Sequence, residues 1–83
     1  MREFQGINVD VDKLAQGMVD LCRELPSEYQ NAMTYGMLPA PIMDRLSQLL
    51  KEKAVAVGRD DRWARDVCHA VTCAMLGKIE IVV

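Results

Sequence analysis

Aromatic side chains are scarce in this chain. Phe4, Tyr29, Tyr35 and Trp63 are the full set, 5% of the residues. A core of stacked rings is therefore excluded, and burial falls to Leu, Ile, Val, Ala and six methionines. Charge of one sign is lacking too, since 10 Lys and Arg face 12 Asp and Glu for a net charge of −2. That balance lacks the basic excess of a typical nucleic-acid binder. It is also too mild for an acidic mimic of DNA. The cysteines are Cys22, Cys68 and Cys73, with no C-x-x-C pair. An odd count, with no leader-like segment, argues against a disulfide scaffold. Reduced, buried thiols in a cytoplasmic protein are the expectation. No apolar run approaches the ~20 residues that a membrane-spanning helix needs. The glycines, at 6, 17, 36, 58 and 77, are too scattered for a phosphate-cradling loop. Glu24, Glu28, Asp44 and Glu52 make no recognisable catalytic pair.

What is present is apolar content and helical periodicity. With 83 residues, 51% of them apolar, residues 1–83 are expected to form one small domain. So short a chain buries a modest share of its surface, and self-association or partner docking is a common remedy. The pattern predicts a mainly α fold of four helices with a short C-terminal strand. Asp10 or Asp12 caps the first helix, whose apolar stripe is Leu14, Met18, Leu21 and Leu25, with Cys22 beside it. Gly17 costs that helix about 1 kcal/mol against Ala and suggests a close helix contact. Pro26 ends it. Ser27 caps a second helix from Glu28 to about Met37. Gly36, Pro39 and Pro41 then break the chain.

Pro41 fits the first turn of the third helix. Ile42, Met43, Leu46, Leu49, Leu50, Ala54 and Val57 form its apolar face, and Gly58 stops it. Asp60 or Asp61 caps the fourth helix, which runs to about Leu76. Its stripe is Trp63, Val67, Ala70, Val71, Ala74 and Met75. Asp61–Arg65 and Arg62–Asp66 are spaced as i,i+4 ion pairs. No charge follows Asp66 until Lys78, so this helix is expected at the centre of the fold.

The ends read as strands. Ile79, Ile81 and Val83 share one face of residues 78–83, after a helix-stopping Gly77. A lone strand cannot satisfy its own backbone groups. It is expected to pair with residues 4–11, where Ile7, Val9 and Val11 alternate, or across a dimer.

Candidate chemistry is thin. His69 and Cys73 share a helix face and both residue types bind zinc, but Cys68 diverges by about 100° and a full ligand set is missing. Asn8, Asp10 and Asp12 open like a calcium loop, yet Lys13 stands where that loop needs Gly and Val19 where it needs Glu. No metal and no cofactor is expected. Gly58 between two helices suggests a helix-turn-helix, with Arg59, Arg62 and Arg65 as a basic spot. Asp60, Asp61 and Asp66 would repel phosphate there.

A non-enzymatic protein–protein interaction module is therefore expected: a small regulatory subunit, adaptor or inhibitor. Its partner is another protein or a second copy, making a homodimer or a hetero-complex subunit. The expected contact residues are Met37, Leu38 and Met43 in an apolar Met/Pro patch, and Arg59, Arg62 and Trp63 as a hot-spot cluster. Ile79, Ile81 and Val83 supply an edge strand. A small nucleic-acid-binding regulator using the arginines is the alternative.

Overall fold

The computed structural model describes residues 1–34 and 37–79, without the side chains of residues 31–34. Its elements are β1 (Arg2–Phe4), β2 (Ile7–Val9), α1 (Val11–Arg23), α2 (Ser27–Thr34), α3 (Ala40–Ala56) and α4 (Asp61–Lys78). The mainly α class and the four helices agree with the sequence. The strands are a different matter. β1 and β2 form an antiparallel hairpin with Arg2 opposite Val9 and Phe4 opposite Ile7. Gln5 and Gly6, at φ 51° and 82°, make the two-residue turn. Positive φ at both positions matches the right-handed twist of the flanking strands. Gly6 is thus a turn residue and not a flaw inside a strand. Gln5 takes a conformation that disfavours a side chain. It is held there by the Arg59 guanidinium, which donates to its carbonyl from Nη2 at 2.9 Å and Nε at 3.3 Å.

Among the described residues the mate of Ile7–Val9 is therefore Arg2–Phe4, and Val11 opens a helix instead of extending the strand. At the other end, Gly77 does not stop α4. The helix runs through it to Lys78, and Ile79 is the C-cap, its N–H donating to the Met75 carbonyl at 3.1 Å. Glycine lowers helix propensity without forbidding the conformation, and tertiary packing carries α4 past it. Glu80 to Val83, which include Ile81 and Val83, lie outside the described residues, as do Tyr35 and Gly36.

Local chemistry sets most helix ends. The Asp10 carboxylate accepts from the Lys13 N–H at 3.1 Å, capping α1. Asp60 Oδ1 accepts from the Arg62 and Trp63 N–H groups and caps α4. Pro41 sits in the first turn of α3 after Pro39 as N-cap. At the other end of α3, Gly58 takes φ 70°. Its N–H donates to the Val55 carbonyl at 3.2 Å and the Arg59 N–H to the Ala54 carbonyl at 2.8 Å. These are the two reversed bonds of a Schellman stop. The Gln30 side-chain amide ties α2 to the end of α1 through the Cys22 and Leu25 carbonyls, at 2.6 and 3.2 Å.

α4 is the centre of the molecule. It packs against α1 on one side and α3 on the other, and β1 lies against it. It buries Trp63, Ala64, Val67, Ala70, Val71 and Met75. α3 contributes Ile42, Leu46, Leu50 and Ala54, while α1 contributes Ala15, Met18, Val19 and Cys22. The Trp63 indole Nε1 donates to the Phe4 carbonyl at 3.0 Å, so the hairpin is anchored to α4 by a buried polar bond. The i,i+4 pairs expected in the first turns of α4 do not close. Among the described residues the one ion pair within 4.0 Å is Arg23 with Asp20, at 3.9 Å and well exposed. Exposed pairs stabilise little, so their side chains stay solvated.

Candidate functional site

The expected contact residues that the structure describes differ widely in exposure. Trp63 is 0% exposed. It cannot be a surface hot spot; in an aromatic-poor chain the largest side chain is the core anchor. Arg59 is half-buried and committed to the hairpin turn through Gln5 and to the Gly58 carbonyl at 3.3 Å. That removes one arginine from the proposed basic spot. Arg62 is exposed. Met37 is 62% exposed just before α3, while Leu38 and Met43 are half-buried against the core. Ile79 is half-buried at the end of α4.

The Cys–His group is a pair only. Cys73 Sγ lies 3.8 Å from His69 Nε2, at the surface. Cys68 is half-buried and Cys22 fully buried, and all three thiols are free. Burial pushes the Cys22 thiol above its ordinary pKa of 9.0, which keeps it protonated and unreactive. No set of three or more metal-binding side chains comes together among the described residues.

The structure brings together a different set. α1 and α3 both lean on α4 but touch each other little. Between them runs a trough. Near the hairpin it is a space of about 460 Å³ with Ile7, Val9, Leu14, Gly17, Met18 and Val57 among its walls. Beyond Met18 it continues as a space of about 500 Å³ between Leu21 on α1 and Arg45, Gln48 and Leu49 on α3. Met18 borders both spaces, which lie in line along the groove between the antiparallel helices α1 and α3.

The trough exists because of how α1 is rotated. The sequence stripe Leu14–Met18–Leu21–Leu25 was the expected core face. The residues that reach full burial are Ala15, Met18, Val19 and Cys22, centred roughly 80° further round the helix. Leu14 and Leu21 are left half-buried, facing the channel. Gly17 lies beside them. A Cβ added there would meet nothing within 4 Å, so Gly17 makes no close helix contact. Leu49, on the α3 wall, remains 38% exposed.

Sequence reasoning missed this site because a leucine stripe reads as core whichever way it is turned. The signal that was available is the breadth of the apolar arc on α1, wider than one neighbouring helix can cover. The trough has no paired acid and base, no nucleophile with a base and no ligand cluster. Its chemistry is apolar contact rimmed by Asp10, Lys13, Lys53, Asp44 and Glu52.

No protein-family model matches this chain, and no curated protein and no solved structure was found to match it significantly. No helix among the described residues is long and apolar enough to cross a membrane.

Proposed function

We propose that this chain is a non-enzymatic protein–protein interaction module, a small cytoplasmic regulatory subunit, adaptor or inhibitor. Its occupant is an amphipathic helix of a partner protein, laid into the trough between α1 and α3. What carries this proposal is the open apolar channel itself, walled by Leu14, Met18, Leu21, Leu49 and Val57, with unfilled space above Gly17. Two walls from antiparallel helices suit a third helix packed between them. From Leu14 to Leu21 the α1 wall is about 10 Å long, two helical turns. That length matches apolar anchors at i, i+3 or i+4, and i+7 on the incoming helix. Charge gives the channel a direction. Lys13 and Lys53 outnumber Asp10 at the hairpin end, and Asp44 and Glu52 outnumber Arg45 at the other. A partner helix with acidic residues at one end and basic residues at the other aligns one way only. Met37, exposed just ahead of α3, offers a further apolar contact.

Two measurements test this. Light scattering across micromolar to millimolar protein asks whether a second copy supplies the helix. A synthetic amphipathic peptide, with leucines at i, i+4 and i+7 and oppositely charged ends, is then titrated into labelled protein and followed by NMR. Saturable shifts at Leu14, Gly17, Met18, Leu49 and Val57, absent with a leucine-to-asparagine peptide, are expected. Shifts scattered elsewhere, or none, overturn the proposal. A stable dimer whose interface excludes these residues overturns it as well.

A further inference from the structure

α3 and α4 flank a further space of about 510 Å³, open to solvent on one side, whose lining mixes polar and apolar surface. This is within the usual range for small-ligand sites, ~300–1,000 Å³. The two helices are joined by residues 57–60, a short connection that makes them antiparallel. Ser47 and Lys51, one turn apart on α3, therefore lie across from Arg65 and His69, one turn apart on α4. Four side chains that carry donors thus line the space from its two walls.

We propose that this cavity binds the phosphate of a phosphate monoester. The donors are available. Neither Lys51 nor Arg65 has a carboxylate within 4.0 Å, since the one ion pair among the described residues is Arg23–Asp20. Ser47 is half-buried, and its hydroxyl makes no hydrogen bond to the described residues. His69 Nε2 lies beside Cys73 Sγ, leaving Nδ1 for a ligand. The Thr72 hydroxyl is already used, donating to the Cys68 carbonyl at 2.8 Å. Donors from two walls suit a tetrahedral group with three terminal oxygens better than a planar carboxylate with two. Arg65 provides the planar fork and Lys51 the point charge that phosphate sites commonly combine.

Within the lining one carboxylate opposes the anion, and Ser47 and Lys51 also border a neighbouring space that holds Asp44 and Glu52. Asp61 also borders the cavity, at its turn end, eight residues before His69 and about 12 Å from it along α4. Arg65 and His69 also border a neighbouring space that holds Arg2, Glu3 and Asp66. Asp61 thus sets a sign test. Removing it should strengthen binding, which no structural role of that residue would do. The site is independent of the α1–α3 trough, sharing no residue with it.

The experiment is an NMR titration of the full chain with three probes at low salt: inorganic phosphate, a blocked phosphoserine and acetate. Saturable shifts at Ser47, Lys51, Arg65 and His69 are expected with the two phosphates and not with acetate. Tighter binding of phosphoserine than of inorganic phosphate is expected for a monoester site, and equal or weaker binding would overturn the monoester assignment in favour of free phosphate. Arg65→Gln should weaken binding about tenfold or more, with an otherwise unchanged spectrum. Asp61→Asn should tighten it about two- to fivefold. Shifts that match those of acetate, that centre on other lysines and arginines, or that survive Arg65→Gln would overturn the proposal.

Discussion

Replacing Gly17 with alanine should make the protein more stable. Glycine in a helix interior is about 0.8–1.0 kcal/mol worse than alanine, because the unfolded chain loses more freedom there. That gain is realised only where the added methyl meets no obstruction and the backbone is ordinary. Both conditions hold. Gly17 is not among the glycines with positive φ, and an added Cβ has nothing within 4 Å. The expected gain is therefore about 0.4–1 kcal/mol. For a domain of this size that corresponds to a rise in Tm of about 2–8 °C. Urea denaturation followed by far-ultraviolet circular dichroism, together with a thermal melt, measures it. A loss of stability would mean that α1 packs closely at Gly17 in the free protein. The trough would then be filled, and both the placement of α1 and the docking proposal would fail. The same position separates stability from binding. Gly17→Leu projects a larger side chain into the channel, so it should keep the fold while abolishing binding of the amphipathic peptide.

Trp63→Phe should cost about 2–3 kcal/mol in urea denaturation, from lost core volume and the hydrogen bond taken from the buried Phe4 carbonyl. A cost under about 0.5 kcal/mol would show that the hairpin is not anchored through the indole. Asp60→Ala should cost about 1 kcal/mol, since two N–H groups at the start of α4 lose their acceptor; an unchanged melt would remove Asp60 as the cap. Cys22 should resist a thiol reagent in the folded protein and react on unfolding, whereas exposed Cys73 reacts at once. The raised Cys22 pKa also has a sign. Above the ordinary value of 9.0 the unfolded thiol gives up its proton while the folded one keeps it, so the unfolded state binds fewer protons and stability falls as pH rises. Cys22→Ala should be less stable at neutral pH yet lack this alkaline decline, which parallel denaturation curves at neutral and alkaline pH would reveal.

The parts of this fold that could be read from the sequence are those controlled within a few residues. Asp10 and Asp60 accept from N–H groups two or three positions on, Gly58 donates three positions back, Pro41 fits a first turn, and the helix boundaries they imply match the structure closely. Gly77 is the exception that shows the limit: an isolated glycine is a weak stop, and α4 continues through it. The candidate site was harder to read. Trp63 and Arg59 look like surface groups beside other charges. One fills the core and the other clasps a turn 54 positions earlier in the chain. Neither partner is visible from local spacing.

By itself the sequence determined the class of the fold, the number of helices and most of their ends, because capping and turn chemistry are local. The tertiary structure decided which arc of α1 is buried. A helix turns 100° per residue, so its broad apolar arc has several near-equivalent rotations, and only the neighbours choose among them. α4 selected Ala15, Val19 and Cys22. That choice left Leu14, Gly17 and Leu21 facing an open channel. The hairpin of Arg2–Phe4 with Ile7–Val9 is local by contrast, closed by a two-residue turn at small entropic cost, and what the tertiary structure adds there is its anchorage to α4 through Trp63.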